Sequence, residues 1–219
     1  MRGLTLKRPW AACFVRDVPC MMERKRVENR GWKPPGFVEV SGTPGLYVKD
    51  DGLWLLLHEG SGVDKVGVEM VGNLSLGGGV FASARVRFVV DRRAFGLLPP
   101  GQLKWASGPF CWLMCDLTEL SKPVPYKGAL GLWRVPEALH LAFRTTPPVD
   151  DDAGFCDYCG GRAAPGKREC DACAASGLDD SFCGCGAEWL GLPARFVPER
   201  CPQCGAVVER RSRKEVRGE

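Results

Sequence analysis

The chain has 219 residues, 45% hydrophobic and 26% charged, a composition typical of a soluble protein with one ordinary domain and a smaller one. The net charge of +4 is uneven: residues 1–150 carry 20 Lys/Arg against 14 Asp/Glu, and residues 151–219 carry 10 against 12. No apolar run approaches the roughly 20 residues that span a membrane, and the first residues lack a signal-peptide core. We therefore expect a cytoplasmic protein with no membrane partner.

Strands dominate the predicted structure up to residue 135. Residues 53–58 are apolar on both faces, which is typical of a fully buried strand, and residues 80–90 alternate between core and solvent. The predicted strands are, in chain order, residues 4–6, 25–32, 53–58, 80–90, 110–119 and 130–135. This pattern predicts a mostly β (α+β) fold, a small β-barrel closed by turns with one or two short helices.

Helices are predicted at two places only. Pro9 fits the first turn of a helix that runs from Trp10 to about Val15, and a second short helix is predicted over residues 61–70. Residues 41–52 and 95–107 are rich in Gly and Pro and are predicted to be loops.

The stretch from residue 25 to residue 32 concentrates groups suited to reading a flat polar ring. On an extended chain Glu28 and Arg30 share one face, so one can orient the other, whereas Lys25 and Asn29 point to the opposite face. The alternative interpretation is a charged strand that faces water. If the protein is an enzyme, Lys25 and Glu28 are the candidate acid and base.

Aromatic residues surround this stretch in the sequence. Trp10 and Trp32 are candidates for stacking on a ligand, whereas Trp112 and Trp133 are predicted to be core residues. His58 is predicted to be a hydrogen-bonded residue at a strand end rather than a catalyst. The candidate ligand-binding residues are Trp10, Lys25, Glu28, Asn29, Arg30, Trp32 and His58. Four cysteines are predicted to be buried thiols: Cys13, Cys20, Cys111 and Cys115.

A domain boundary is predicted where the sequence becomes rich in Pro and then acidic. The barrel domain is assigned to residues 1–144, a semi-extended linker to 145–154, a cysteine module to 155–208 and a basic tail to 209–219. The tail is interpreted as a solvated terminus, although its Arg and Lys residues are able to touch phosphate locally.

Eight cysteines form four closely spaced pairs in the cysteine module. Each pair offers two thiolates from a tight turn, so the eight predict two closed tetrahedral Zn²⁺ sites that are structural, not catalytic. In the preferred consecutive pairing, which closes the shorter loops, the first two pairs bind one Zn²⁺ and the last two pairs bind the other. In the alternative, a cross-brace, the first pair shares an ion with the third and the second pair with the fourth. The predicted ligands are Cys156, Cys159, Cys170, Cys173, Cys183, Cys185, Cys201 and Cys204.

Five separate segments together resemble an ASCH domain over roughly residues 1–137. They contain Leu4-x-Leu6-x₂-Pro9-Trp10-Ala11, Lys25-x₂-Glu28-Asn29-Arg30-x-Trp32, Leu55-Leu56-Leu57-His58, Trp105-Ala106-x-Gly108-Pro109-x₂-Trp112 and Gly128-Ala129-Leu130-Gly131-Leu132-Trp133. The resemblance implies a PUA-like β-barrel with a cleft beside the first helix. It also implies recognition of RNA or a modified nucleotide, with the cleft at Lys25, Glu28 and Arg30.

The sequence departs from the family at two places. ASCH proteins that hydrolyse acetylcytidine use a Lys, a Thr three residues later and a downstream Glu. Here Glu28 stands at the Thr position, which leaves no hydroxyl nucleophile and argues against that mechanism. Residues 41–52 resemble an insertion, and the cysteine module lies outside the ASCH match.

Three classes of function follow from these patterns. The favoured one is a nucleic-acid or nucleotide-binding module, RNA above all, with the zinc module as a second contact surface. The second is a hydrolase acting on a modified nucleoside or a ribonuclease. The third is an adaptor whose zinc module binds a protein partner.

Overall fold

A computed structural model describes residues 1–16, 18 and 24–146, and the backbone of three further strands at 178–182, 188–193 and 209–211. The strands of the first part are β1 (Arg2–Arg8), β2 (Val27–Arg30), β3 (Val38–Glu39), β4 (Leu46–Val63), β5 (Gly79–Asp91), β6 (Phe110–Val124) and β7 (Leu132–Arg134). The helices are α1 (Lys65–Val71) and α2 (Glu137–Thr145), with 3₁₀ turns at Ala12–Phe14, Arg92–Leu97 and Pro100–Trp105.

The first seven strands form one mixed sheet. Its order is β2-β6-β5-β4-β1-β7, and β3 pairs with β4 beside this path. The pairing of β1 with β4 is parallel, with Leu4 opposite Leu57, and the other strand pairs are antiparallel. The predicted mostly β (α+β) class with few short helices is therefore confirmed.

Both faces of the central strands are covered, which explains why residues 53–58 are so apolar. Leu55 and Leu57 belong to one core cluster with Trp112. On the other face, Leu56 belongs to a cluster with Trp133 and with Leu139 of α2. All three leucines are fully buried. The prediction of a strand buried throughout fails at Trp54, which is 42% exposed.

The predicted helix at residues 10–15 is shorter and tighter than expected. Only Ala12–Phe14 forms a 3₁₀ turn, and every residue from Ala11 to Val15 is at most 1% exposed. The segment is thus packed on all sides, and tertiary contacts rather than an amphipathic face determine its conformation.

The prediction of a loop over residues 41–52 is wrong for its second half. Strand β4 already begins at Leu46, which pairs with Val90. Gly45 and Gly52 adopt positive φ angles of 87° and 63°. Gly45 ends the turn before β4, and Gly52 lies at a bulge within the paired strand.

Other boundaries also shift. Strand β6 runs to Val124 instead of ending at residue 119, and residues 61–63 belong to β4, so that α1 begins only after Asp64. The loop predicted at 95–107 contains the end of one 3₁₀ turn and the whole of another, and α2 was not predicted. None of the described helices is long and apolar enough to cross a membrane.

The three later strands form a separate sheet in the order β10-β8-β9, with β8 at Leu178–Phe182, β9 at Glu188–Pro193 and β10 at Glu209–Arg211. Strand β10 thus coincides with the start of the predicted basic tail. The eight predicted zinc ligands and the predicted linker from residue 147 onward lie outside the described residues.

Candidate functional site

A cavity of about 1470 Å³ lies beside β1, β2 and β4. Its wall also includes residues of α1, the glycine-rich segment 76–79, and the segments 104–107 and 123–131. All seven residues predicted from the sequence to bind a ligand line it: Trp10, Lys25, Glu28, Asn29, Arg30, Trp32 and His58.

Three charged side chains form a connected chain in the cavity wall. The Lys25 ammonium lies 2.7 Å from Oε2 of Glu28, and Nη2 of Arg30 lies 2.9 Å from Oε1. Nη2 of Arg30 also donates to the carbonyl of Thr5 at 3.0 Å. The side chains are 3%, 9% and 19% exposed in the order Lys25, Glu28, Arg30. Glu28 and Arg30 are thus close neighbours, as predicted.

The predicted direction of Lys25 is wrong. Strand β2 begins only at Val27, so alternation does not extend to Lys25, and its side chain reaches Glu28 instead of the opposite face. The backbone N–H of Lys25 donates to the carbonyl of Cys13 at 2.8 Å. Its ammonium lies 4.7 Å from the ring centroid of Phe14 and 5.6 Å from that of Trp10, within cation–π range.

This geometry limits the chemistry of the pair. Both carboxylate oxygens of Glu28 accept from cations, and Lys25 is held against Glu28 and two aromatic rings. In this arrangement Lys25 and Glu28 are a buried ion pair, not a separate general acid and general base.

Asn29 positions the wall of the cavity. Its Nδ2 donates to the carbonyl of Trp105 at 2.8 Å, while its Oδ1 accepts from the backbone N–H of Ser107 at 2.9 Å. The same oxygen accepts from the thiol of Cys111 at 3.1 Å. Asn29 therefore ties β2 and β6 to the segment that carries Trp105.

Tryptophans line one side of the cavity. Trp10 packs edge-on against Trp105, with centroids 6.4 Å apart, and Trp32 packs edge-on against Trp112 at 4.8 Å. Trp32 is 38% exposed, whereas Trp112 is fully buried and Trp133 is 8% exposed. Trp112 and Trp133 are therefore buried core residues, as predicted. Trp105 is a cavity residue that was not selected from the sequence.

His58 lies in the middle of β4 and is hydrogen-bonded, as predicted, although not at a strand end. Its Nε2 lies 2.9 Å from the carbonyl of Tyr126 and 3.2 Å from the backbone nitrogen of Gly128. Tyr126 stacks on Trp133 at 5.2 Å between centroids. His58 thus fixes the segment 126–128 at the cavity edge.

Two further carboxylates in the cavity wall were missed. Glu59 is 2% exposed and accepts from the hydroxyl of Ser75 and from the backbone N–H groups of Leu76 and Gly78. Asp64 caps α1, and the Gly67 amide followed by the Trp10 indole holds the pKa of Asp64 below its usual value. The sequence signal for the Glu59 contacts was the run Gly77-Gly78-Gly79, because glycines allow a backbone to approach a side chain closely.

The cavity carries more positive than negative groups. Five cationic side chains line it against three carboxylates, an excess of two positive charges. The cations are Lys7, Lys25, Arg30, Lys104 and Lys127, and the carboxylates are Glu28, Glu59 and Asp64.

Large apolar side chains stand exposed on the same cavity wall. We call them the apolar rim and define it by the residues Trp32 (38% exposed), Val66 (63%), Met70 (49%), Tyr126 (36%) and Leu130 (96%). Exposed apolar clusters of this kind are typical of binding sites.

The described part of the chain contains no group of three or more His, Cys, Asp or Glu side chains placed to hold a metal. Cys13, Cys111 and Cys115 are buried, as predicted, while Cys20 lies outside the described residues. Burial raises the pKa of Cys111 and of Cys115 to about 11.

No protein-family model matches the sequence, and the comparison with curated proteins gives no match.

Proposed function

We propose that the cavity binds single-stranded nucleic acid, RNA in the first instance, with one nucleotide or modified nucleotide held against Lys25, Glu28 and Arg30. The observation that carries the proposal is the buried chain of these three side chains, which lies in one large cavity together with Trp10, Trp32 and Trp105. Planar bases stack on indoles, and a guanidinium matches the oxygens of bases and phosphates.

The charge of the cavity supports an anionic ligand. Its five cations exceed its three carboxylates, and each carboxylate already accepts hydrogen bonds from the protein. A phosphate entering the cavity therefore meets surplus positive charge.

The size and rim of the cavity support a strand over a single small molecule. A volume of about 1470 Å³ exceeds the roughly 300–1,000 Å³ of ordinary small-molecule pockets. The exposed Trp32 and Tyr126 offer stacking surfaces beside the nucleotide, and each stacked base contributes about 1–3 kcal/mol.

We also propose that residues 1–137 form an ASCH domain with a PUA-like barrel. The proposal is supported by the way in which separated parts of the motif, at Trp10, Lys25–Trp32, His58, Trp105 and Gly128, line one cavity. The ion pair of Lys25 with Glu28 supports binding over hydrolysis.

For the cysteine module, we propose two structural Zn²⁺ ions on the eight paired cysteines. Support for this comes from their spacing. The module then provides a second surface for nucleic acid or a protein partner.

The test is the salt dependence of binding to a fluorescent single-stranded RNA. In the full chain, Lys7→Ala/Lys127→Ala removes two exposed cations of the cavity, whereas Lys122→Ala/Arg144→Ala removes two exposed cations elsewhere. We expect the first pair to weaken binding and to lower the slope of log K against log salt by about 1.4. Equal slopes for both variants, or no binding at 50 mM salt, would overturn the proposal.

A further inference from the structure

A buried carboxylate holds the glycine-rich part of the cavity wall. The Glu59 side chain accepts from the hydroxyl of Ser75 at 2.9 Å, and the residue is 2% exposed. It also accepts from the backbone N–H groups of Leu76 and Gly78, at 3.0 and 2.8 Å. The Ser75 hydroxyl in turn accepts from the N–H of Gly77 at 3.1 Å. Successive N–H groups directed at one anion form an anion-binding concavity, and here the protein's own carboxylate fills it.

The position of Glu59 is fixed by the sheet. The residue lies on the central strand β4, opposite Leu6 of β1 and Gly79 of β5, so strands pair with its backbone on both sides. Its charge is stabilised by the N–H and O–H donors of residues 75–78. Glu59 therefore orders the wall of the cavity without presenting a negative charge to an anionic ligand.

We call residues 76–79 the glycine wall. Its three glycines have positive φ angles, and all four of its residues line the cavity. A Cβ on Gly79 would collide with the carbonyl oxygen of Val124 at 2.5 Å. A Cβ on Gly77 would meet no atom of the described residues within 4 Å, and one on Gly78 would meet a single atom at 3.9 Å. Open space thus lies in front of bare backbone at Gly77 and Gly78, where a ligand is able to approach closely.

Two exposed lysines flank the glycine wall. On one side, Lys7 directly follows the β1 residue that pairs with Glu59. On the other side, a Cβ on Gly79 would lie 3.4 Å from Pro125, and Lys127 is two residues further along the chain. Both lysines line the cavity. A bare stretch of backbone with a cation on either side suits the phosphates of a strand.

We infer that the sugar–phosphate backbone of the bound strand crosses the glycine wall between Lys7 and Lys127, and that Glu59 is the positioning residue that holds this wall. The inference rests on the proposed function. Glu59 contacts the wall and not the strand, so its effect on binding is indirect. The closest approach of the strand to the protein backbone is at Gly77 and Gly78.

The first experiment adds one methyl group to the wall and measures the affinity of the full chain for a fluorescent five-nucleotide RNA. Gly77→Ala places a Cβ in the space that the strand occupies, and we expect the affinity to fall about 10-fold. Gly42→Ala is the matched control, because Gly42 has a similar φ of +78° and equally open surroundings but lies outside the cavity lining. The control should leave the affinity unchanged. Equal affinities of the two variants would overturn the inference.

The second experiment tests Glu59 by chemical rescue. Glu59→Ala empties the concavity, so hydrogen exchange at the amides of Leu76 and Gly78 should become about 10-fold faster and RNA binding weaker. Sodium acetate supplies a carboxylate and should reverse both effects, whereas sodium chloride at the same ionic strength should not. Glu59→Gln keeps one acceptor oxygen and should lie between the two proteins. Losses that acetate does not reverse would overturn the positioning role.

A third measurement needs no substitution. In the unmodified chain, the amide resonances of Gly77 and Gly78 should shift on addition of the RNA, and that of Gly42 should not. If the RNA binds and neither wall resonance moves, the strand takes another path, and the inference is overturned while nucleic-acid binding stands. If the RNA does not bind, the proposed function itself fails.

Discussion

Glu28 is the residue on which the arrangement of the cavity depends. It is 9% exposed and bridges two cations, so its carboxylate is paired on both oxygens. Removing one partner of a buried ion pair leaves uncompensated charge, and the cost exceeds what the pair itself contributes to stability. The same carboxylate fixes the position of both cations in the cavity wall.

Glu28→Gln should lower the free energy of unfolding by about 3–5 kcal/mol, because Lys25 and Arg30 then remain buried without an opposite charge. Urea unfolding at neutral pH measures this. Glu39→Gln is the control, since it breaks the exposed ion pair of Glu39 with Arg93 and should cost far less. Equal losses in the two variants would contradict a buried Glu28.

The thiols of Cys111 and Cys115 should be inert in the folded protein. Burial raises the pKa of each to about 11, so at pH 8 only about one thiol in a thousand is ionised. Peptide-level mass spectrometry after brief alkylation at pH 8 should find both unmodified in buffer and both modified in urea. Rapid modification in buffer would show that these side chains are accessible.

Some residues of the site were predictable from the sequence. The neighbouring positions of Glu28 and Arg30 follow from the two-residue period of a strand. Lys25 was misplaced because the strand starts two residues after it. Glu59, Asp64 and Trp105 were missed because their roles depend on contacts with distant segments, as when Asn29 binds Trp105.

At the scale of elements, β4 shows where composition misleads. Its glycine-rich beginning has the residues of a loop, yet Leu46 and Val48 pair with β5, and Gly52 sits at a bulge. Strand β5 was predicted well because its apolar residues alternate, whereas the end of β6, from residue 120 to Val124, was missed. Helix α2 was missed, although its apolar residues include the buried Leu139, because it has only nine residues and no side-chain N-cap that would mark its start.

Gly79 is the first residue of β5, and its substitution tests the backbone conformation at the start of this strand. Its φ is +90°, and a Cβ there would lie 2.5 Å from the carbonyl oxygen of Val124 on the paired strand. Gly79→Ala should therefore destabilise the protein by about 1–3 kcal/mol in thermal or urea unfolding. Gly96→Ala, where an added Cβ meets nothing within 4 Å, is the control and should be nearly neutral. A neutral Gly79→Ala would show that this strand start differs from the one described.

If the cysteine module binds zinc as proposed, the purified protein should contain two Zn²⁺ per chain. Elemental analysis measures this content. Chelation should unfold this module, because its sequence is too short and too poor in apolar residues to form a stable core without metal. The double variant Cys159→Ser/Cys173→Ser distinguishes the two pairings. Consecutive pairing predicts that one Zn²⁺ remains, whereas cross-brace pairing predicts that both are lost. A wild-type content near zero would refute the zinc proposal.

At the scale of the whole molecule, the two parts of the sequence carry opposite formal charge. Residues 1–150 have an excess of Lys/Arg and residues 151–219 an excess of Asp/Glu, and eight thiolates with two Zn²⁺ would make the second part more negative. If the protein binds nucleic acid as proposed, this asymmetry favours first contact through the part that holds the cavity.

The most direct measurement is photo-crosslinking of the full chain to a five-nucleotide RNA that contains 4-thiouridine, followed by mass spectrometry of the crosslinked peptides. A nucleotide held in the cavity predicts crosslinks within residues 25–32, 104–107 or 126–131, all of which contribute to its wall. These crosslinks should be lost on competition with unlabelled RNA. Crosslinks confined to residues 151–219, or none that compete, would contradict the account.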